Sequence, residues 1–278
     1  MFVQLGRYGD IMIMLPALWA MREQLGQRQI LMVAREFADV LDGVSYVEPW
    51  VVDLDWLKGV VEAQELASSV SDVVVFPKWW DDPRKHLQPP PPNLPSITLS
   101  YKGRTIPVPV GQWESYQLSM WETCGFSKEK FYEWPLIFDQ RDRQREEALS
   151  KTFLTAARSR PIVLYNFGGI TNPFKAAWEL HPMLRSVSNR CHLVDLSSLR
   201  AVRIYDLLGL FERARGLITS DTATLHLAHA MPSMPYIGLI GDGGAGSLVK
   251  ANCVLPLRYS EVAAKKHLIL SKIQEWIR

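Results

Sequence analysis

Residues 2–25 read FVQLGRYGDIMIMLPALWAMREQL, and this stretch decides the fold. Residues 2–5 form a short apolar run closed by Gly6, and residues 11–25 have helical length and spacing, so the chain opens strand, tight turn, helix. Working outward, residues 29–34 (QILMVA) predict a second strand, 45–47 a third, 53–67 a helix and 72–76 (DVVVF) a buried strand. Strands that alternate with helices in this way make a parallel sheet covered by helices.

The alternation stops at Pro77. Residues 78–113 hold Trp79, Trp80 and four consecutive prolines from Pro89 to Pro92, and read as an insertion or a large loop with short segments at 97–99 and 105–110. The proline run is most simply a stiff extended stretch. Helical spacing returns over 114–124, residues 136–138 predict a last strand of the first half, and 141–157 predict a charged amphipathic helix. The domain boundary is expected between about 138 and 160, with one domain over 1–140 and the other over 141–278. The second half predicts strands at 162–166, 192–195, 217–219 and 236–240, and helices at 178–187, 204–214, 222–231 and 260–277. Two α/β halves of similar size result.

Composition narrows the class. The 278 residues are 47% hydrophobic and 22% charged, near the globular average of roughly 45–50% and about 25%, which excludes disordered and fibrous chains. The longest apolar run, at 11–21, is broken by Pro16 and is too short for a membrane span of about 20 residues. The polar, Gly-containing Arg7 to Asp10 is no signal-peptide flank, so a cytoplasmic protein is expected. Cys124, Cys191 and Cys253 are odd in number and far apart, which supports neither a disulfide framework nor a zinc site. Net charge is +2, unevenly spread: residues 1–140 carry 12 Lys and Arg against 18 Asp and Glu, a net −6, and residues 141–278 carry 19 against 11, a net +8. A basic half suggests an anionic ligand, and a solvated basic face accounts for it equally well.

Four motifs stand at predicted strand ends, the edge where open α/β sheets bind ligands. The first, Gly6-Arg7-Tyr8-Gly9-Asp10, lets the backbone turn sharply beside a ligand; Asp10 suits a helix cap and a base alike. The spacing is not G-x-G-x-x-G, which disfavours a nicotinamide enzyme. The second runs from Tyr165 to Trp178 and includes Asn166, Gly168, Gly169, Thr171 and Lys175. Glycines, a hydroxyl and a lysine before a helix can hold a diphosphate, while the spacing is no Walker loop. In the third, Asp221-Thr222-Ala223-Thr224-Leu225-His226, Ser220 or Asp221 caps a helix on which Thr222 and His226 share a face. His226 and His229 lack the companions of a metal site. The fourth holds Gly241, Asp242, Gly243, Gly244, Ala245 and Gly246, a run that can form an anion-binding nest. Each motif alone also fits an ordinary turn, cap or core residue.

Together and in this order, the motifs resemble the heptosyltransferase family of GT-B glycosyltransferases. GRYGDIMIMLPALWAMREQL is similar to that family's opening Gly-Asp, helix, Pro segment, and GLITSDTATLHLAHAM followed by PYIGLIGDG to its donor-site signature and next strand. The likeness covers the first 50 or so residues and about 160–245. Ala223 stands where the family has glycine. The resemblance implies two Rossmann-like domains with parallel sheets facing a cleft, the acceptor on the first domain and a nucleotide diphosphate sugar on the second. It implies Asp10 as the general base of an inverting transfer. Lys175, the Gly168-Gly169 backbone and the run from Gly243 to Gly246 would neutralise the leaving diphosphate without a metal or other cofactor. Asp221, Thr222 and His226 would hold the sugar and proximal phosphate, with Asn166 and Thr171 beside them. Arg7, Tyr8, Lys78, Trp79, Trp80 and Arg84 stand on the acceptor side. The acceptor is expected to be a saccharide. Basic residues interleaved with Trp79, Trp80, Tyr101 and Trp113 leave a hydroxymethylated base of DNA as an alternative. A nucleotide-sugar-binding protein without catalysis and a non-hydrolysing epimerase also stay open.

Overall fold

The computed structural model describes residues 1–56, 58–77, 96–101, 104–109, 117, 120–121, 124, 126–169, 173–199, 201, 203–242 and 247–278. It divides into two compact units, Met1–Arg141 and Asp142–Arg278.

In the first unit, β1 (Phe2–Val3), β2 (Gln29–Ala34) and β3 (Val47–Val52) form a parallel sheet in the order β1-β2-β3. A bridge between Phe2 and Val75 continues the sheet on the far side of β1. It is all that forms of the strand expected at 72–76. The opening helix α1 (Tyr8–Leu25) begins at Tyr8, earlier than its apolar spacing predicts. Ile11 to Leu15, Ala17 and Leu18 are at most 4% exposed, so the helix is interior on every side over these turns, and only its last turn, Arg22 to Leu25, is exposed. Pro16 interrupts its hydrogen-bond ladder, and the buried Trp121 indole donates to the Ile13 carbonyl at 3.1 Å. Trp121 packs in turn on Phe126, Phe131 and Trp134, with centroids 5.4–5.9 Å apart.

The helix expected over 53–67 starts later, as α2 (Val60–Ser68). A turn on Asp55 precedes it, and a Cβ on Gly59 would lie 2.6 Å from the Leu54 Cβ, so only glycine passes there. The insertion carries an antiparallel hairpin, β4 (Ser96–Tyr101) and β5 (Arg104–Pro109), followed later by α3 (Lys128–Glu133). Residues 136–138 are not a strand. They lie along the segment before β3, where the Tyr46 hydroxyl donates to the Ile137 carbonyl at 2.8 Å.

The second unit opens with α4 (Arg143–Ala157) and builds one parallel sheet from β6 (Ile162–Asn166), β7 (His192–Asp195), β8 (Gly216–Ser220), β9 (Tyr236–Ile240) and β10 (Cys253–Arg258). The spatial order is β10-β9-β8-β6-β7. Helix α5 (Ala177–Val187) joins β6 to β7, a 3-10 turn (Ile204–Leu207) with α6 (Leu208–Phe211) precedes β8, α7 (Ala223–Ala228) precedes β9, and α8 (Val262–Trp276) closes the chain. Leu180, Leu184, Ile269 and Ile273 from α5 and α8 meet Val163, Ile218 and Ile237 of the sheet in one core, each buried aliphatic contributing about 1.5–3 kcal/mol. Glycine is required at 216, where a Cβ would sit 2.4 Å from the Trp276 ring. No helix of the described residues is long and apolar enough to cross a membrane.

Candidate functional site

In the second unit the chain winds outward from β6 to β7 on one side and from β8 to β10 on the other. The connections after β6 and β8 therefore leave in opposite directions, and a crevice opens between the carboxyl ends of those two strands. Asn166 ends β6 and pairs with Thr219 of β8. Its Oδ1 accepts the Gly168 N–H at 2.9 Å and its Nδ2 donates to Thr224 Oγ1 at 3.1 Å. The Thr224 hydroxyl also meets Thr219 Oγ1 at 2.7 Å and Thr222 Oγ1 at 2.8 Å. A buried polar cluster is stable only when its members satisfy one another, and here the network brings Asn166, Gly168 and Thr222 to one place. Thr222, rather than Ser220 or Asp221, is the N-cap residue of α7.

Asp221 is held from three sides. Its N–H donates to the Tyr259 hydroxyl at 3.1 Å, and its Oδ2 accepts from the N–H groups of Gly241 at 3.2 Å and Ser247 at 3.0 Å. Burial, then the nearby Asp221 carboxylate, push the Tyr259 phenol upward. The Tyr259 ring packs on Phe174, 5.0 Å between centroids. Lys175 follows Phe174 and is exposed, as is Trp178 on the first turn of α5, at 70%.

His226 is buried on α7, with its ring 6.0 Å from that of His229. His229 Nε2 lies 3.2 Å from the Tyr236 hydroxyl, which also accepts the Lys250 N–H at 3.2 Å. Burial, then the neighbouring His226 and Lys250, hold His229 well below the usual imidazole range. Burial lowers the Lys250 ammonium to about 8. Among the described residues, no three His, Cys, Asp or Glu side chains gather as metal ligands.

In the first unit, the Val75 bridge gives the order Val75, β1, β2, β3, so the winding reverses beside β1. At its carboxyl end, Gln4 Oε1 accepts the Gly6 N–H at 3.1 Å, and Asp10 Oδ2 accepts the Arg7 N–H at 3.1 Å. Asp10 is half-buried in the first turn of α1. The Arg7 guanidinium lies 5.6 Å from the Trp56 ring centroid. Tyr8 packs edge-on against Phe37, and burial, then a hydrogen bond to Asp39, raise its phenol. Lys78, Trp79, Trp80, Arg84, Thr171, Gly243 and Gly244 lie outside the described residues.

No protein-family model matches the sequence, and no curated protein sequence does. Solved structures do match. The glycosyl transferase family 9 structure from Veillonella parvula aligns over 96% of this chain and 88% of its own, with a TM-score of 0.59 and 12% identity. The ADP-heptose lps heptosyltransferase II of E. coli aligns over 98% of both chains, with a TM-score of 0.54 and 11% identity. E. coli heptosyltransferase WaaC, solved with ADP, aligns over 99% of this chain and 98% of its own, with a TM-score of 0.50 and 15% identity. The chain has the heptosyltransferase fold.

Within this heptosyltransferase fold, of the described donor-side candidates of the sequence, Asn166 ends β6, and Gly168, Gly169, Lys175, Asp221, Thr222 and His226 belong to the turns and the helix that follow β6 and β8. Sequence reasoning missed Arg258, which ends β10, and Tyr259, which follows it, at the same edge: Arg258 Nη1 donates to the Gly241 carbonyl at 2.8 Å. It also missed Asp195 at the end of β7, whose Oδ1 accepts from Ser197 N–H at 2.9 Å and Ser197 Oγ at 2.6 Å. The basic surplus of residues 141–278 does not locate the site. Arg158, Arg160, Arg190 and Arg215 precede β6, β7 and β8, where the bonds His192 N–H to Pro161 O and Arg215 N–H to Ile162 O gather them on the opposite, amino edge.

Proposed function

We propose that this protein is an inverting glycosyltransferase that moves a sugar from a nucleotide diphosphate sugar to a hydroxyl of a saccharide acceptor. The observation that carries this reading is the Asn166, Thr219, Thr222 and Thr224 network at the β6/β8 crevice, in a fold shared nearly end to end with a heptosyltransferase solved with ADP. In this reading the diphosphate lies against the Gly168 and Gly169 backbone and the Lys175 ammonium, which take up the charge of the leaving group as a metal does elsewhere. Thr222 and His226 face the proximal phosphate and the sugar.

The step balances without a cofactor. The acceptor oxygen attacks the anomeric carbon from the face opposite the diphosphate. The bond from that carbon to the diphosphate oxygen breaks, and its electron pair leaves on the diphosphate. The acceptor proton passes to the Asp10 carboxylate. Asp10 is suited to this by its place after β1, where the Arg7 N–H fixes Oδ2.

The test is Asp10→Asn, which keeps shape but cannot take the proton. Loss of a general base costs about 10²–10⁴ in rate, so transfer should fall by that factor while nucleotide affinity stays within about threefold, a shift under 1 kcal/mol. Retention of a third of wild-type kcat would reduce Asp10 to a helix cap.

A further inference from the structure

Gln4 is the polar residue in an otherwise apolar run, Phe2 to Leu5, and it is fully buried. Its main chain is fixed in the sheet, where the Gln4 N–H donates to the Met32 carbonyl at 2.9 Å. Its side chain reaches the turn after β1: Oε1 accepts the Gly6 N–H at 3.1 Å, and Nε2 meets no acceptor among the described residues. A buried donor left unmade is costly, and an apolar side chain of the same shape avoids that cost. What glutamine adds at this core position is its bond to Gly6.

Gly6 is followed directly by Arg7, whose N–H donates to Asp10 Oδ2 at 3.1 Å. The two donors stand on adjacent peptide units joined through the Gly6 Cα, and glycine has the greatest backbone freedom of any residue. Rotation at Gly6 swings the Arg7 N–H away from Asp10. We propose that Gln4 is a positioning residue for Asp10: by fixing the Gly6 peptide it sets the Arg7 N–H, and through it the direction of the Asp10 carboxylate. This rests on the reading of Asp10 as the base given above. A general base must lie within hydrogen-bond reach of the proton it takes, and misplacement of a reacting group by about 1 Å costs about 10²-fold in rate. A polar side chain that the core would otherwise exclude keeps that geometry.

Gln4→Met keeps the shape and removes the acceptor. One unmade donor, Nε2, gives way to another, the Gly6 N–H, so the urea midpoint should move little. Amide exchange at both Gly6 and Arg7 should accelerate. Activity is read as release of nucleoside diphosphate from ADP-heptose, GDP-mannose and UDP-glucose, with water standing in for the acceptor hydroxyl. In Gln4→Met, kcat should fall about 10- to 100-fold while the donor KM stays within about threefold. Added to Asp10→Asn, Gln4→Met should cost nothing further, because no base is left to direct. A residue that only supports the fold would slow both backgrounds alike. Wild-type kcat per folded chain in Gln4→Met, equal losses in the two backgrounds, or unchanged exchange at Arg7 overturns the proposal alone. Wild-type turnover in Asp10→Asn, or no release from any of the three donors by the wild-type chain, overturns the reading of Asp10 as the base, and the proposal with it.

Discussion

The Asn166 side-chain amide donates to the Thr224 hydroxyl across 3.1 Å and so fastens the loop after β6 to the helix after β8. Both residues are under 10% exposed, and the same hydroxyl serves Thr219 and Thr222.

Thr224→Val keeps the shape of the side chain and removes its oxygen. A buried group left without a partner costs about 1–3 kcal/mol, so the urea midpoint should fall accordingly, and ADP binding should weaken because Asn166 no longer holds the Gly168 turn to α7. Thr224→Ser, which keeps the hydroxyl, should lie within about 1 kcal/mol of wild type, the scale of one net hydrogen bond. Equal midpoints for Val and Ser would show that the network holds nothing together.

The buried His229 makes stability pH-dependent. Its folded pKa is depressed by burial, His226 and Lys250, so above the unfolded value of about 6.5 the imidazole is neutral in both states and costs nothing. As pH falls below that value the unfolded chain takes up the proton first, and stability drops. Urea unfolding between pH 7.5 and 5 should show this loss. His229→Gln retains a partner for the Tyr236 hydroxyl and no titratable ring, and should flatten that part of the profile. An unchanged slope would assign the loss to other groups.

Gly216→Ala should be costly although the change is one methyl. The added Cβ falls 2.4 Å from the Trp276 ring, and overpacking of this kind costs about 1–3 kcal/mol. Thermal melting of Gly216→Ala with and without Trp276→Leu reads the cause: the smaller side chain should recover part of the loss, and no recovery would place the strain elsewhere.

The parallel sheets were legible wherever a strand was a clean apolar run, as in Gln29–Ala34, Ile162–Asn166 and Tyr236–Ile240. The strand expected at 136–138 does not form and that at 72–76 gives only the Val75 bridge; of the strands that do form in the two parallel sheets, β3 was misplaced and β10 missed, and both carry proline: β3 holds Pro49 and extends well past the expected 45–47, and β10 holds Pro256. Each is an edge strand, the place where a sheet tolerates a residue that cannot donate, so the sequence signal against a strand was genuine and tertiary context overrode it. With β10 hidden, Arg258 and Tyr259 had no strand end to mark them as part of the site. The motifs after β1, β6 and β8 were visible because glycines and polar residues follow apolar runs there. The double use of Asp221, backbone and carboxylate together, depends on residues 20 and 26 positions away and leaves no local trace.

The central claim is that the carboxyl edge of the β6 to β10 sheet holds a nucleoside diphosphate through backbone N–H groups and Lys175. Titration with ADP, GDP and UDP in excess EDTA, for wild type and Lys175→Ala, tests it most directly. The account predicts saturable one-to-one binding of at least one of the three without metal, weakened at least about tenfold, or 1.4 kcal/mol, by Lys175→Ala. No saturable binding of any of them, binding that appears only when magnesium is supplied, or an affinity indifferent to Lys175→Ala would contradict it.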